Sequence, residues 1–370
     1  MTSKLTVKAI RKAYAAVVAL APCDLEVREG EFLTLLGPSG SGKTTLLMMI
    51  AGLLEPDGGD IWIDGRRATY APPYARDIGM VFQNYALFPH LSIFENIAFP
   101  LRMRRVAEAD IRSQVARVLE IVQLPHVANR RASALSGGQQ QRIALARCIV
   151  FKPSLILMDE PLGALDKKLR DQLQLEIKHL HKQIGTTILY VTHDQQEAMT
   201  MSDRICLMNQ GKIEQIDAPE DLYFWPKTEF AADFLGESNI YSATTVSTGP
   251  ETTSFASPML GERPIVARGP LDAALKANVR LMVRPERLLL SGRKDAHAPD
   301  MNIVSGVIRE KVFLGGSTKY FVDIGNGATI FGIELTTSPA QIPNVGEHVS
   351  VAWPINATVV LPGASGVQNT

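Results

Sequence analysis

Residues 32–36, FLTLL, lead directly into GPSGSGKTT and then LLMMIAGLL. A strand-like apolar run, a loop with Gly37, Gly40 and Gly42, and a helix-like apolar run form one unit that few folds accommodate. The glycines let backbone N–H groups turn inward on an anion, Lys43 supplies a point charge, and the Thr44 hydroxyl is a hard oxygen ligand suited to Mg2+. Gly37, Pro38, Ser39, Gly40, Ser41, Gly42, Lys43 and Thr44, with Thr45 next in line, therefore read as a cradle for nucleotide phosphates. An incidental glycine-rich turn would not also match G-x-x-x-x-G-K-[ST] in full, between a strand and a helix.

A second apolar run, LILMDE at 155–160, buries four residues and brings Asp159 out at the carboxyl end of a strand, where open α/β sheets bind ligands. A carboxylate there can hold Mg2+. Glu160 is then free of the metal and suited to orienting or deprotonating an attacking water. His193 follows another such run, ILYVT, and can reach a γ-phosphate from a neighbouring strand end. Gln83, in MVFQNYALF, also follows a short strand, where its amide can sense Mg2+ or water. His179 and His181 are two apart on a helix and face different ways, so they do not suggest a metal site.

Leu135, Ser136, Gly137, Gly138 and Gln139 spell LSGGQ ahead of the amphipathic run QQRIALARCIV. A capping hydroxyl, open N–H groups and the positive end of a helix dipole make this a second anion-binding helix start. One chain thus carries two phosphate cradles about a hundred residues apart.

The surroundings are consistent. Strand-like and helix-like runs alternate from residue 154 to MSDRICLMN, which predicts a mostly parallel, layered sheet. Residues 1–36 form a β-rich entry, and about 85–153 a helical insert with Ile111, Val115, Val118, Leu119 and Val122 on one face. Asp166 is placed to cap the helix that ends at Gly185. The α/β domain closes near 240, and 241–370 reads as short strands with turn punctuation, a small barrel or sandwich.

Lys plus Arg equals Asp plus Glu at 38 each, so no net field recruits nucleic acid, and the basic stretch at 102–106 reads as a solvated helix face. Cys23, Cys148 and Cys206 lack CxxC spacing, which fits a reducing compartment without a disulfide framework or zinc site. KAIRKAYAAVVALAPC has the flavour of a lipoprotein signal, but Pro22 sits where a small residue should precede cleavage. The longest apolar run, 46–54, is too short to span a bilayer.

With GPSGSGKT, Gln83, LSGGQ, LILMDE, GALD and His193 in this order, nearly the whole chain resembles the ABC transporter ATPase family. The resemblance implies that LSGGQ faces the ATP held by the phosphate loop of another cassette. A chain with one copy of each motif then pairs with itself, or with a related ATPase chain, head to tail around two nucleotides. It also implies that Tyr14 stacks on adenine, and that Leu165 and Asp166 join the sites across the dimer, with Gly163 where many members have serine. Tyr85, Phe88 and Phe94 either stand exposed, where they would grip a cytoplasmic helix of a membrane permease, or pack within the helical insert, and the sequence leaves both readings open.

The C-terminal region, with VRPERL, resembles the OB-like accessory domain of importer ATPases. The family's expected cofactors are ATP and Mg2+, and its place is the cytoplasmic face of the inner membrane, peripheral to the permease. A solute-binding protein is the indirect partner. QNYALFPHLSIFENIAFPLRMR and LGALDKKLR resemble the spermidine/putrescine import group most, although iron, phosphonate, opine and sugar importers share most of this text. A soluble ABC protein of translation or DNA repair is the rival; such proteins tend to carry two cassettes or a long coiled coil, and neither is seen here. A third reading makes the chain chiefly a regulatory module whose tail senses solute.

Overall fold

A computed structural model describes residues 3–163, 165–270, 278–291, 300–337 and 343–363. The chain divides into two compact units, Met1–Leu222 and Tyr223–Thr370.

The first unit contains strands β1 (Ser3–Tyr14), β2 (Val17–Arg28), β3 (Phe32–Leu36), β4 (Gly58–Ile63), β5 (Arg66–Arg67), β6 (Ile78–Val81), β7 (Leu155–Asp159), β8 (Thr187–Thr192), β9 (Arg204–Asn209) and β10 (Lys212–Asp217). Its helices are α1 (Lys43–Ala51), α2 (Ile93–Met103), α3 (Glu108–Ile121), α4 (Gly137–Ile149), α5 (Lys167–Ile184) and α6 (Gln195–Met201). A six-stranded sheet of order β10-β9-β3-β8-β7-β6 is parallel except for the β9–β10 pair, as the alternating pattern predicts. A four-stranded antiparallel sheet, β2-β1-β4-β5, accounts for the β-rich entry.

The central parallel strands β3, β7 and β8 are buried on both faces, which matches their largely apolar sequences. Successive side chains alternate between two cores. Phe32, Ile156, Met158, Ile188 and Tyr190 join the core under the helical insert. Leu33, Leu35, Leu155, Leu157, Leu189 and Val191 join the core shared with α1 and the antiparallel sheet. The expected insert face, Ile111, Val115, Val118, Leu119 and Val122, is buried. Asp166 caps α5 by accepting from Leu169 N–H at 3.1 Å, and Gly185 ends it in the left-handed region at φ 69°.

Strand register sets up the site. Leu36 pairs with Thr192, Asp159 with Val191, and Val81 with Met158. The segments that begin at Gly37, Glu160, His193 and Phe82 therefore all leave the carboxyl edge of one sheet, where such sheets bind ligands.

Helix α7 (Pro219–Phe224) spans the division between the units, and α8 (Glu229–Phe234) follows in the second. There β11 (Asn239–Thr248), β12 (Thr252–Ser257), β13 (Gly261–Arg268), β14 (Asn278–Val283), β15 (Leu289–Ser291), β16 (Met301–Phe313), β17 (Ser317–Gly325), β18 (Ala328–Leu335), β19 (His348–Pro354) and β20 (Val359–Pro362) form two antiparallel sheets. Their orders are β13-β12-β11-β14-β20 and β15-β19-β16-β17-β18, and they share one core around Phe255, Tyr320 and Trp353. Arg284, in VRPERL, is buried and donates to the carbonyls of Tyr223, Ala232 and Gly236 at 2.9, 2.8 and 3.0 Å. It ties residues 223–236 to the second unit, so the contact division falls earlier than a boundary near 240.

Candidate functional site

The loop after β3 folds as it does because two of its positions exclude a side chain. A Cβ on Gly37 would lie 2.2 Å from the Met208 carbonyl oxygen of neighbouring β9. Gly42 caps α1 at φ 97°, and a Cβ there would lie 2.7 Å from the Ala19 carbonyl oxygen. Ser39 and Gly40 are exposed, Pro38 and Thr45 half-buried, and Ser41 buried. Lys43 is buried, and its Nζ donates to the carbonyls of Gly37 at 2.8 Å and Pro38 at 2.9 Å. Burial holds its pKa below the usual lysine value, opposed by the charges of Glu160 and Asp159.

Exposed Thr44 donates from Oγ1 to Asp159 Oδ1 at 3.4 Å, so the first residues of α1 meet the end of β7. Burial, with the neighbouring charge of Glu160, raises the Asp159 pKa, and the Thr44 bond and Lys43 oppose the shift. A cation at this place would oppose that shift by favouring the charged carboxylate. Thr44, Asp159 and Gln83 offer hydroxyl, carboxylate and amide oxygens, a hard donor set that suits Mg2+. No cluster of three or more His, Cys, Asp or Glu able to hold an ion occurs among the described residues.

Glu160 sits at φ 43°, a left-handed conformation for a residue with a side chain, and its N–H donates to Val191 O at 3.0 Å. Its Oε1 lies 3.1 Å from Nδ1 of half-exposed His193. Gln83 is exposed. A Cβ built on Gly163 would be 3.8 Å from Gln83 Nε2 and 3.9 Å from Glu160 Oε2, ordinary contact distances. The amide and the carboxylate thus flank Gly163, and the local space would admit serine.

The LSGGQ segment forms the expected helix start. Ser136 Oγ accepts from Gln139 N–H at 3.4 Å and Gln139 Oε1 accepts from Ser136 N–H at 3.1 Å, a reciprocal cap on α4. Ser136 is exposed while Leu135 and Gly138 are buried. Its glycines have a second use that sequence reading did not see. A Cβ on Gly137 would lie 3.1 Å from Leu165 Cδ2, and one on Gly138 3.2 Å from Leu169 Cδ1. The first turn of α4 is therefore pressed against the segment that follows Glu160 and against α5.

Tyr14 is 51% exposed at the end of β1, with Lys12 Nζ 5.7 Å from its ring centroid. Of the two readings left open for the aromatics near residue 85, packing within the insert holds for Tyr85 and Phe94, and the exposed grip is corrected for them. Tyr85 is buried in the core of the helical insert, and Phe94 is half-buried against the same core. Leu87 and Ile97 help fill that core, so apolar packing claims both rings. Phe88 is half-buried and tilts on exposed Phe99 at 4.8 Å. Phe82, Phe88, Phe99, Arg104, Arg147 and Phe151 help line a mainly apolar groove of about 480 Å³.

A phosphate loop whose threonine meets a strand-end carboxylate, with a glutamate–histidine pair beside it, is the site of a P-loop nucleotide hydrolase. Residues 20–163 match the ABC transporter family model, and residues 281–361 match the TOBE domain model. The chain is 44% identical over 359 residues to the spermidine/putrescine import ATP-binding protein PotA of Thermobifida fusca, covering 96% of this chain and 92% of that one. The protein of the same name from Acidothermus cellulolyticus is 47% identical over 360 residues, 95% of this chain and 92% of that one. Among solved structures, a dimeric bacterial ABC transporter cassette aligns with TM-score 0.53 at 34% identity, over 58% of this chain and 98% of its own. The cbiO1 cassette of Clostridium perfringens aligns with TM-score 0.56 at 27% identity, over 60% of this chain and 91% of its own. The chain belongs to the ABC transporter ATP-binding proteins, and it is an ATP-hydrolysing subunit.

Proposed function

We propose that this chain hydrolyses ATP at sites shared between two cassettes, and that it drives a permease importing a polyamine, spermidine or putrescine. The observation that carries the reading is the convergence of Thr44 on Asp159 and of His193 on Glu160 at one sheet edge.

In this reading the backbone of residues 37–45 and Lys43 hold the ATP phosphates, and Tyr14 stacks on the adenine. Thr44, Gln83 and Asp159 would hold Mg2+, which would supply neutralisation of phosphate charge when bound. Glu160 takes a proton from the attacking water, and His193 orients that carboxylate through the 3.1 Å contact while reaching the γ-phosphate. Leu135, Ser136, Gly137, Gly138 and Gln139 meet the ATP held by the partner cassette, with Leu165 and Asp166 at the same junction. The partner cassette is a second copy of this chain or a related one.

A permease sits on the groove beside Phe88 and Phe99, which puts the chain at the cytoplasmic face of the inner membrane. No described helix is long and apolar enough to cross a membrane. The relatives named for spermidine/putrescine import support the solute. The test is ATP turnover by the purified membrane complex with its binding protein. Spermidine or putrescine should stimulate it; stimulation by a sugar or an iron complex instead would reject the polyamine assignment.

A further inference from the structure

Helix α4 begins with the LSGGQ residues and carries Arg147 near its other end. Arg147 Nη1 donates to Ala86 O at 2.7 Å and Nη2 donates to Tyr85 O at 2.9 Å. Both acceptor residues are left-handed, with φ 61° at Tyr85 and 45° at Ala86. Consecutive left-handed residues bearing side chains are costly and persist only where their surroundings hold them. The turn lies just past Gln83.

Besides the turn's own bonds from Tyr85 N–H to Phe82 O at 2.9 Å and Ala86 N–H to Asn84 O at 2.7 Å, two side-chain contacts hold it. The Tyr85 ring is packed in the helical-insert core, and its hydroxyl finds no hydrogen-bond partner among the described residues, so packing alone anchors it. The second contact is the Arg147 fork, a half-buried guanidinium directed at two main-chain carbonyls. At the opposite end of α4, Gly137 packs on Leu165 in the segment following Glu160. One stiff helix thus touches both the turn just past Gln83 and the loop that follows Glu160 and contains Gly163.

We propose that Arg147 is a positioning residue for hydrolysis: it clamps the left-handed turn at Tyr85 and Ala86, so that Gln83 moves as one body with the helix that begins at LSGGQ. The inference rests on the reading of Gln83 as a site residue.

The test uses the full-length chain. Arg147→Gln should lower kcat about tenfold while leaving KM for ATP within about twofold, because the phosphate loop is untouched. Adding Ala86→Gly, which adopts a positive φ without help, should recover most of the lost kcat. If Arg147→Gln does not fold, Arg147→Lys keeps the charge but not the fork, and should show the same loss and the same recovery. A folded variant with wild-type kcat overturns the clamp, and so does a loss that glycine at 86 does not recover. Gln83→Ala separates the two readings. If it leaves kcat unchanged, the role of Gln83 fails; if it lowers kcat while Arg147→Gln does not, the clamp alone fails.

Discussion

Glu160 Oε1 and His193 Nδ1 stand 3.1 Å apart, although they leave the ends of two different strands. The pairing of Asp159 with Val191 brings them close, since it puts Glu160 level with Thr192 and His193 one residue further on. Glu160 adopts a left-handed backbone at this place, the kind of strain that a functional position tolerates.

If Glu160 takes the proton from water, Glu160→Gln should lower kcat by about 10²–10⁴-fold and leave ATP affinity nearly unchanged. His193→Ala removes the orienting partner and its reach to the γ-phosphate but leaves the base in place, and should cost less, on the order of ten- to a hundredfold. Single-turnover kinetics alongside nucleotide titration separate the two effects. A Glu160→Gln chain with undiminished turnover would remove the residue from the mechanism.

Gly42→Ala should be more damaging than its size suggests. The residue sits at φ 97° and a Cβ would meet the Ala19 carbonyl oxygen at 2.7 Å, a main-chain atom that cannot swing away. Denaturant unfolding should show a loss of about 1–3 kcal/mol, and ATP affinity should fall with the displaced loop. Equal stability and affinity in the variant would mean that the loop relaxes freely.

Much of this site is legible in the sequence, for a definite reason. Lys43, Asp159, Glu160 and His193 each lie at or just after a short apolar run, and in a parallel sheet the end of such a run is also a place in space. Contacts set by tertiary packing are not legible in that way. Arg147 reads as one more cation on an amphipathic helix, because its acceptors at Tyr85 and Ala86 are 62 and 61 residues away. Tyr85 reads equally as an exposed aromatic or as part of the insert's packing, and only the fold shows that the insert buries it. Gly137 and Gly138 suggest open N–H groups, and sequence alone does not reveal Leu165 and Leu169 pressed against them. VRPERL is recognisable as a pattern, but the task of Arg284, gathering carbonyls from residues 223–236, appears only in the fold.

Glu197 supplies a pH signature of the fold. Its carboxylate is buried and accepts from the hydroxyls of Tyr190 and Thr192, each at 2.7 Å. Burial raises its pKa above the ordinary 4.5, against those two bonds and Arg170. Between the ordinary and the raised value the folded chain holds more protons than the unfolded one, so stability contributed by this group falls as pH rises through that window and levels off above it. Glu197→Gln should remove this slope, leaving the variant more favourable relative to the parent at pH 7 than at pH 4. Urea midpoints across that range check it, and parallel profiles would contradict it.

The central claim is that the phosphate loop of one chain and LSGGQ of another enclose the same ATP. Cysteines at Ser39 and Ser136, both exposed, test it directly in a Glu160→Gln chain that holds ATP without turning it over. The native Cys23, Cys148 and Cys206 are buried, so the background reaction is small. Under mild oxidation the account predicts a disulfide-linked product of doubled mass that accumulates with ATP and not without it. No such product, or the same amount with and without ATP, would contradict it.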